Sequence, residues 1–222
     1  MPVWLTAMTV VALATAMTCT LWITLDIVRG HRQRMWIMNL VWPITALYAG
    51  PLAVLAYYRI GRARSSRHLA DTAPKPFAQD VALAATHCGS GCTLGDIVAE
   101  SLLPWLPFTL FGSTVLTGWV LDFAFAFALG IAFQYFTIRP MADKSPTQAL
   151  LAALKADTLS LIAWQAGMYG WMAIATFGIF DDPPGRGTPV FWFMMQIAML
   201  IGFVTAWPVN AWLLRRGIKQ PM

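Results

Sequence analysis

The stretch ATHCGSGCTLGDIVAE, residues 85 to 100, gathers one of the chain's three histidines and two of its three cysteines within six positions. Thiolate sulfur is a soft ligand suited to Cu(I) and Zn, and an imidazole adds a nitrogen donor. His87, Cys88, Cys92 and Asp96 therefore form the candidate metal set. If the segment is a loop, Gly89 and Gly91 let the backbone bend until the donors converge. If it is helical, Cys88, Cys92, Asp96 and Glu100 follow an i, i+4 series along one slowly drifting face.

Plainer readings apply to the same residues. Buried cysteines ordinarily behave as small hydrophobes, which suits Cys19. Thr93 with Asp96 resembles a capping box, with the acid favoured in a first helical turn. No second cysteine pair supplies the rest of a four-ligand zinc set. His31 and His68 fall in basic loops and read as solvated, which leaves no facing histidines for a bis-His haem.

The elements that must position these groups follow from composition. The 222 residues are 58% hydrophobic and 11% charged, with mean hydropathy +0.61. A soluble domain carries about 45–50% apolar and about 25% charged residues, so the expectation is an integral membrane protein in a lipid bilayer. A formal charge of +5 fits basic loops facing anionic lipid. Nucleic acid is disfavoured as a partner because the arginines flank apolar runs instead of forming one stripe.

A spanning helix needs about 20 mostly apolar residues. About six such runs stand out, predicting an all-α polytopic transmembrane helix bundle in a single domain over residues 1–222. They are Val3 to Ile27, Met35 to Tyr58, Thr93 to Phe111, Thr114 to Ile138, Leu159 to Phe180 with a helical lead-in from Ser145 to Asp157, and Val190 to Leu214. Arg59 to Asp80 reads as a basic cytoplasmic linker. The N-terminal MPVWLTAM lacks the positive start of a signal peptide and reads as a retained anchor. With six spans, the clusters around Arg59, Arg139 and Arg215 share one side, and the positive-inside rule puts both termini in the cytoplasm of a bacterial inner membrane. Arg29, Arg32 and Arg34 then fall on the wrong side. Pro43 and Gly50-Pro51 offer a way out, because a broken second segment can be re-entrant if protein covers its backbone.

Intramembrane acids are costly and usually functional, so Glu100 and Asp122 form a candidate ion path with the metal set. Gln134, Gln165 and Gln196 read as interhelical hydrogen-bonders. Asp26 and Asp157 lie near span ends, where solvation or pairing with Arg29 or Lys155 accounts for them. Met168 with Met172 and Met195 with Met199 share helix faces and serve as gap-fillers or as a Cu(I) path. Trp36, Trp119, Trp192 and Trp212 suit an interfacial belt.

HCGSGCTLGD (His87 to Asp96), MWIMNLVWPITALYAGP (Met35 to Pro51) and WPVNAWLLRRGIKQPM (Trp207 to Met222) resemble a bacterial and archaeal membrane family catalogued as domain of unknown function 4396. The resemblance extends over most of the chain from Asp26. It implies a polytopic membrane protein whose relatives keep company with copper-handling and other heavy-metal proteins, and it transfers no catalytic residue.

The combined expectation is a membrane protein that binds or moves a soft metal ion, copper favoured over Zn. His87, Cys88 and Cys92 would capture it at the cytoplasmic mouth, while Asp96, Glu100 and Asp122 tune charge. The ion would come from a metal-handling partner protein, and a homo-oligomer is compatible with the bundle. A membrane thiol oxidoreductase using Cys88 and Cys92, or a structural subunit of a membrane complex, are the alternatives. Nothing matches a nucleotide loop or a Ser-His-Asp set.

Overall fold

The computed structural model describes residues 2–33, 35–62, 76–141 and 145–221. All described elements are helical, and the described residues contain no strand. Five are long: α1 (Val3–Val28), α4 (Phe77–Leu102), α5 (Thr114–Met141), α6 (Pro146–Ile174) and α7 (Pro189–Arg215). At 1.5 Å per residue they measure about 39 to 44 Å. Of these, α1, α5 and α7 are long and apolar enough to cross a membrane by length and composition. Helices α4 and α6 have similar length but bury more polar residues, among them His87, Asp96, Glu100, Asp157 and Gln165.

The expected second span is not one helix. It divides into α2 (Met38–Ala49) and α3 (Pro51–Ala56), followed by a wide π-type turn over Tyr57–Gly61. Gly50 adopts φ +51°, a left-handed conformation that interrupts the helix, and Pro51 brings no N–H to continue it. The chain folds back on itself. Trp42 near the start of α2 packs its ring 5.7 Å from that of Tyr57, and the absent side chain of Gly61 makes room for the same indole. The Tyr57 hydroxyl donates to Asp26 at 2.8 Å, and Arg62 grips the same carboxylate with two bonds of 2.9 Å. Asp26 thus pairs with Arg62 rather than the expected Arg29.

The tip of this hairpin reaches the middle of the bundle. There the Leu47 carbonyl, freed by the break, accepts from Gln196 at 2.7 Å, and Tyr48 meets Trp164 edge-on at 5.9 Å. Gln196 therefore plays the interhelical role expected of it, and its amide satisfies the carbonyl freed by the break.

With the hairpin closed on itself, the ends of the bundle sort differently from the six-span expectation. The end of α1, both ends of the hairpin, the start of α4 and the end of α7 lie together. Ile23, Ile27, Ile37, Tyr57 and Leu83 share one core cluster, and Arg215 stacks over Phe77. The start of α1 and the end of α7 therefore lie at opposite ends of the bundle. The reversal also brings the end of α1 to Arg62, whose guanidinium bonds Asp26. Arg34, Arg64, Arg67, His68, Lys75 and Lys144 lie outside the described residues, as does most of the expected linker.

Helix α4 begins at Phe77, well before the expected Thr93, and ends at Leu102 ahead of Pro104. The segment around Cys88 is thus mid-helix, neither a loop nor a helix start. Thr93 does not cap, and its hydroxyl donates back to the Gly89 carbonyl at 2.7 Å. The glycines allow close approach instead of bending. A Cβ on Gly91 would lie 2.6 Å from Gly130 Cα, and one on Gly95 would overlap the Ala126 backbone of α5. Such small-residue contacts let two helix backbones touch.

The lead-in expected from Ser145 is the first part of α6, started by a reciprocal capping box. Ser145 Oγ accepts from the Gln148 N–H at 3.3 Å, and Gln148 Oε1 accepts from the Ser145 N–H at 3.2 Å.

Replacing Gly95 by Val should therefore force α4 and α5 apart and destabilise the protein by about 1–3 kcal/mol or more. Gly170→Ala, where the new methyl meets nothing, should leave the unfolding temperature unchanged or slightly raised. Thermal unfolding of the detergent-solubilised variants measures both.

Candidate functional site

On α4, Cys88, Cys92, Asp96 and Glu100 recur every fourth residue and are all buried. The helical alternative read from the sequence is the one that forms, and it sets two thiols and two carboxyl groups in a line along the interior. Asp122 of α5 joins the line beside Glu100, buried with its Oδ1 lacking a hydrogen-bond partner among the described residues. The backbone of α4 turned toward α5 is made of glycine. The column runs toward α6 and α7.

Each end of the column meets a cation. Glu100 forms an ion pair with Arg186, from the segment joining α6 to α7. At the basic end, Lys219 reaches back from beyond α7 and donates to Asp157 of α6 at 2.7 Å, with both side chains wholly buried. Asp157 thus pairs with Lys219 instead of the expected Lys155. Neither Arg186 nor Lys219 stood out in the sequence as a site residue. Both lie in ordinary basic contexts, Lys219 closely following Arg215 and Arg216, and no spacing tied them to a distant acid.

Between the ends the groups are less satisfied. Both oxygens of Asp96 lack a hydrogen-bond partner among the described residues, as do both ends of the Gln165 amide. Leaving a buried polar group unsatisfied costs about 1–3 kcal/mol, more when it is charged. Two cavities adjoin it. One of about 210 Å³ is lined by Glu100, Asp122, Arg186, Tyr169 and Met195. The other, about 380 Å³, is lined by Asp96, Thr93, Tyr48, Met195 and Met199 and extends to α1 at Met17.

Cys88 and Cys92 belong to one buried cluster with Met168, Met172, Met195 and Met199. The Met199 sulfur accepts from Trp164 Nε1 at 3.4 Å and from the Thr93 hydroxyl at 3.8 Å. All three cysteines are free thiols.

His87 is buried but lies off this line. Its Nε2 is 2.9 Å from the Thr137 hydroxyl, which in turn donates to the Phe133 carbonyl at 3.1 Å. The ring therefore faces α5. Its Nδ1 has no partner among the described residues. Among those residues no three or more His, Cys, Asp or Glu side chains come together as a group able to hold a metal ion. The column is a series of groups rather than one polydentate cage.

A closed all-helical bundle with an ionisable interior, and three helices able to cross a membrane, defines the class of protein. The chain belongs to the family described as Domain of unknown function (DUF4396), whose model matches residues 79–219. The match is narrower than the stretch from Asp26 and leaves out α1 to α3. It holds every member of the column and reaches Lys219. No curated protein and no solved structure matches the chain.

Removing one partner of the Glu100–Arg186 pair should leave the other charge stranded. Arg186→Met is expected to destabilise by about 2 kcal/mol, less than a wholly buried pair because Arg186 is partly exposed. Adding Glu100→Gln should restore most of the loss. A double-mutant cycle on unfolding temperatures reads the coupling.

Proposed function

We propose that the protein is an integral membrane carrier that passes a soft metal ion, Cu(I) in preference to Zn, along the buried column of α4. The observation that carries this reading is the column itself. Two thiols and three carboxyl groups lie in line through the bundle, and an opposite charge closes each end.

Physical chemistry favours copper over zinc. Zinc sites call for about four nitrogen, sulfur or carboxylate ligands in a tetrahedron. Thiolates and thioethers select Cu(I), and here Cys88 and Cys92 share one buried cluster with four methionines. Asp96, Glu100 and Asp122 compensate the charge of a passing cation. His87, turned toward Thr137, supports the helix pair α4–α5 instead of leading the ligand set. The ion meets the thiols midway rather than at a cytoplasmic mouth.

The membrane reading is supported by the outer surface. Val3, Val11, Leu21, Phe177 and Val204 are each more than half exposed, a pattern suited to lipid. In this reading α1 and α4 to α7 cross the bilayer and the α2–α3 hairpin enters and leaves on one side. Arg29, Arg32, Arg59, Arg62, Arg139, Arg215 and Arg216 gather at one end, which the positive-inside rule makes cytoplasmic. The start of α1 then faces outward. Thiol oxidoreduction is the weaker reading, because Cys88 and Cys92 are both 0% exposed and thiol exchange needs an accessible sulfur.

Elemental analysis of purified protein loaded with Cu(I) tests the cargo. Cys88→Ser and Cys92→Ser should each remove most of the bound copper, with the double change adding little. His87→Ala and Cys19→Ser should retain it. Thiols titrate near 8.5 unless perturbed and bind as thiolates, so loading should release protons and weaken as pH falls. Metal-free active protein with a reversible Cys88–Cys92 disulfide would sink the carrier reading in favour of the oxidoreductase.

Topology is tested separately. A reporter fused after residue 222 should report cytoplasm and one fused before residue 2 the opposite side. Two cytoplasmic signals would contradict the re-entrant hairpin as a membrane arrangement.

A further inference from the structure

Lys219 sits in a cage of oxygen. Its Nζ donates to Asp157 Oδ1 at 2.7 Å, to Asn210 Oδ1 at 3.0 Å and to the Ala84 carbonyl at 3.5 Å. These acceptors come from α6, α7 and α4, and an ammonium has three N–H groups to offer them. Asn210 is fixed with its oxygen inward, because its Nδ2 donates to Ser160 Oγ at 2.7 Å and to the Ala206 carbonyl at 2.9 Å. Asp157 Oδ2 is buried with no partner among the described residues, so the cage holds more acceptor capacity than the ammonium uses.

The cation arrives on a segment separate from the helices. Helix α7 ends in a Schellman turn. The Ile218 N–H bonds the Leu213 carbonyl at 3.0 Å and the Gly217 N–H that of Leu214 at 3.1 Å, with Gly217 at φ +66°. This turn redirects the chain so that Lys219 points back between the helices. The Lys219 N–H also bonds the Leu213 carbonyl, at 3.3 Å, so it is the side chain alone that can withdraw without breaking a bond of the turn, leaving one carboxylate with two carbonyl oxygens facing an unfilled position.

We propose that Asp157, Asn210 and the Ala84 carbonyl form a binding site for an alkali-metal cation, which Lys219 fills as a tethered occupant. Hard cations take carboxylate, amide and backbone oxygens, the donor set of this cage. One carboxylate balances one positive charge, whereas a divalent ion would leave net charge buried. Exchange between tethered ammonium and free ion makes occupancy of this end of the bundle depend on the position of the tail. The site uses neither thiol, and its test reads no soft metal.

The test uses the full chain in detergent carrying Lys219→Met, whose side chain fills the lysine stem and stops one atom short of Nζ. Unfolding temperature is compared in sodium, potassium and choline chloride at matched concentrations. Sodium or potassium should raise that of K219M relative to choline, by about 3–5 °C for each tenfold increase above half-saturation. Wild type should show no such difference, and D157N/K219M should lose it. Equal unfolding of K219M in all three salts overturns the proposal. If K219M is recovered folded only in sodium or potassium, that supports the site, while failure to fold in all three overturns it.

Discussion

A carboxylate taken out of water must meet a positive charge or give up its own. The bundle around α4 is organised by that constraint. Glu100 and Asp157 are too deep to be solvated, and no helix facing them supplies a cation at the right height. The counter-charges come from outside the helical framework, Arg186 from the segment before α7 and Lys219 from the turn after it. The two least regular parts of the α6–α7 region are therefore held by its most demanding electrostatics.

The rest of the architecture gives the column space and shields it. Gly91 and Gly95 bring α4 against Gly130 and Ala126 of α5 with no side chain between. Gly89 leaves room for the Trp164 ring, and Gly202 of α7 receives the same ring from the other side. The α2–α3 hairpin covers a further face of α4, where Ser90 donates to the Val41 carbonyl at 3.1 Å. One helix thus carries separate surfaces for backbone contact, for the hairpin and for chemistry. Small residues are needed on the first two so that the third can hold groups that pack poorly.

Much of this was legible in the sequence. The apolar runs of α1, α5 and α7 appear almost at their observed limits, because no charged residue interrupts their outward faces before the last turn. The i, i+4 series from Cys88 to Glu100 was visible because helical periodicity alone brings those residues onto one face. Gly50-Pro51 marked a break whose backbone consequence does not depend on surroundings. The start of α4 was missed for the opposite reason. His87, Gly89, Ser90 and Gly91 look unlike membrane helix in isolation, yet each is buried against a partner the local sequence does not name.

By itself, then, the sequence determined the helical class, the length of the apolar helices, the hairpin break and the alignment of thiols and acids, all properties of neighbours within a few turns. Tertiary structure alone decided which acid meets which base, that the hairpin returns to the end it left, and that the two outer ends of the bundle carry opposite ends of the chain. Asp157 and Lys219 are 62 residues apart and Glu100 and Arg186 are 86 apart. No local pattern encodes such a pairing, because it follows from how α4, α6 and α7 stack and from the cost of leaving any one of those charges alone.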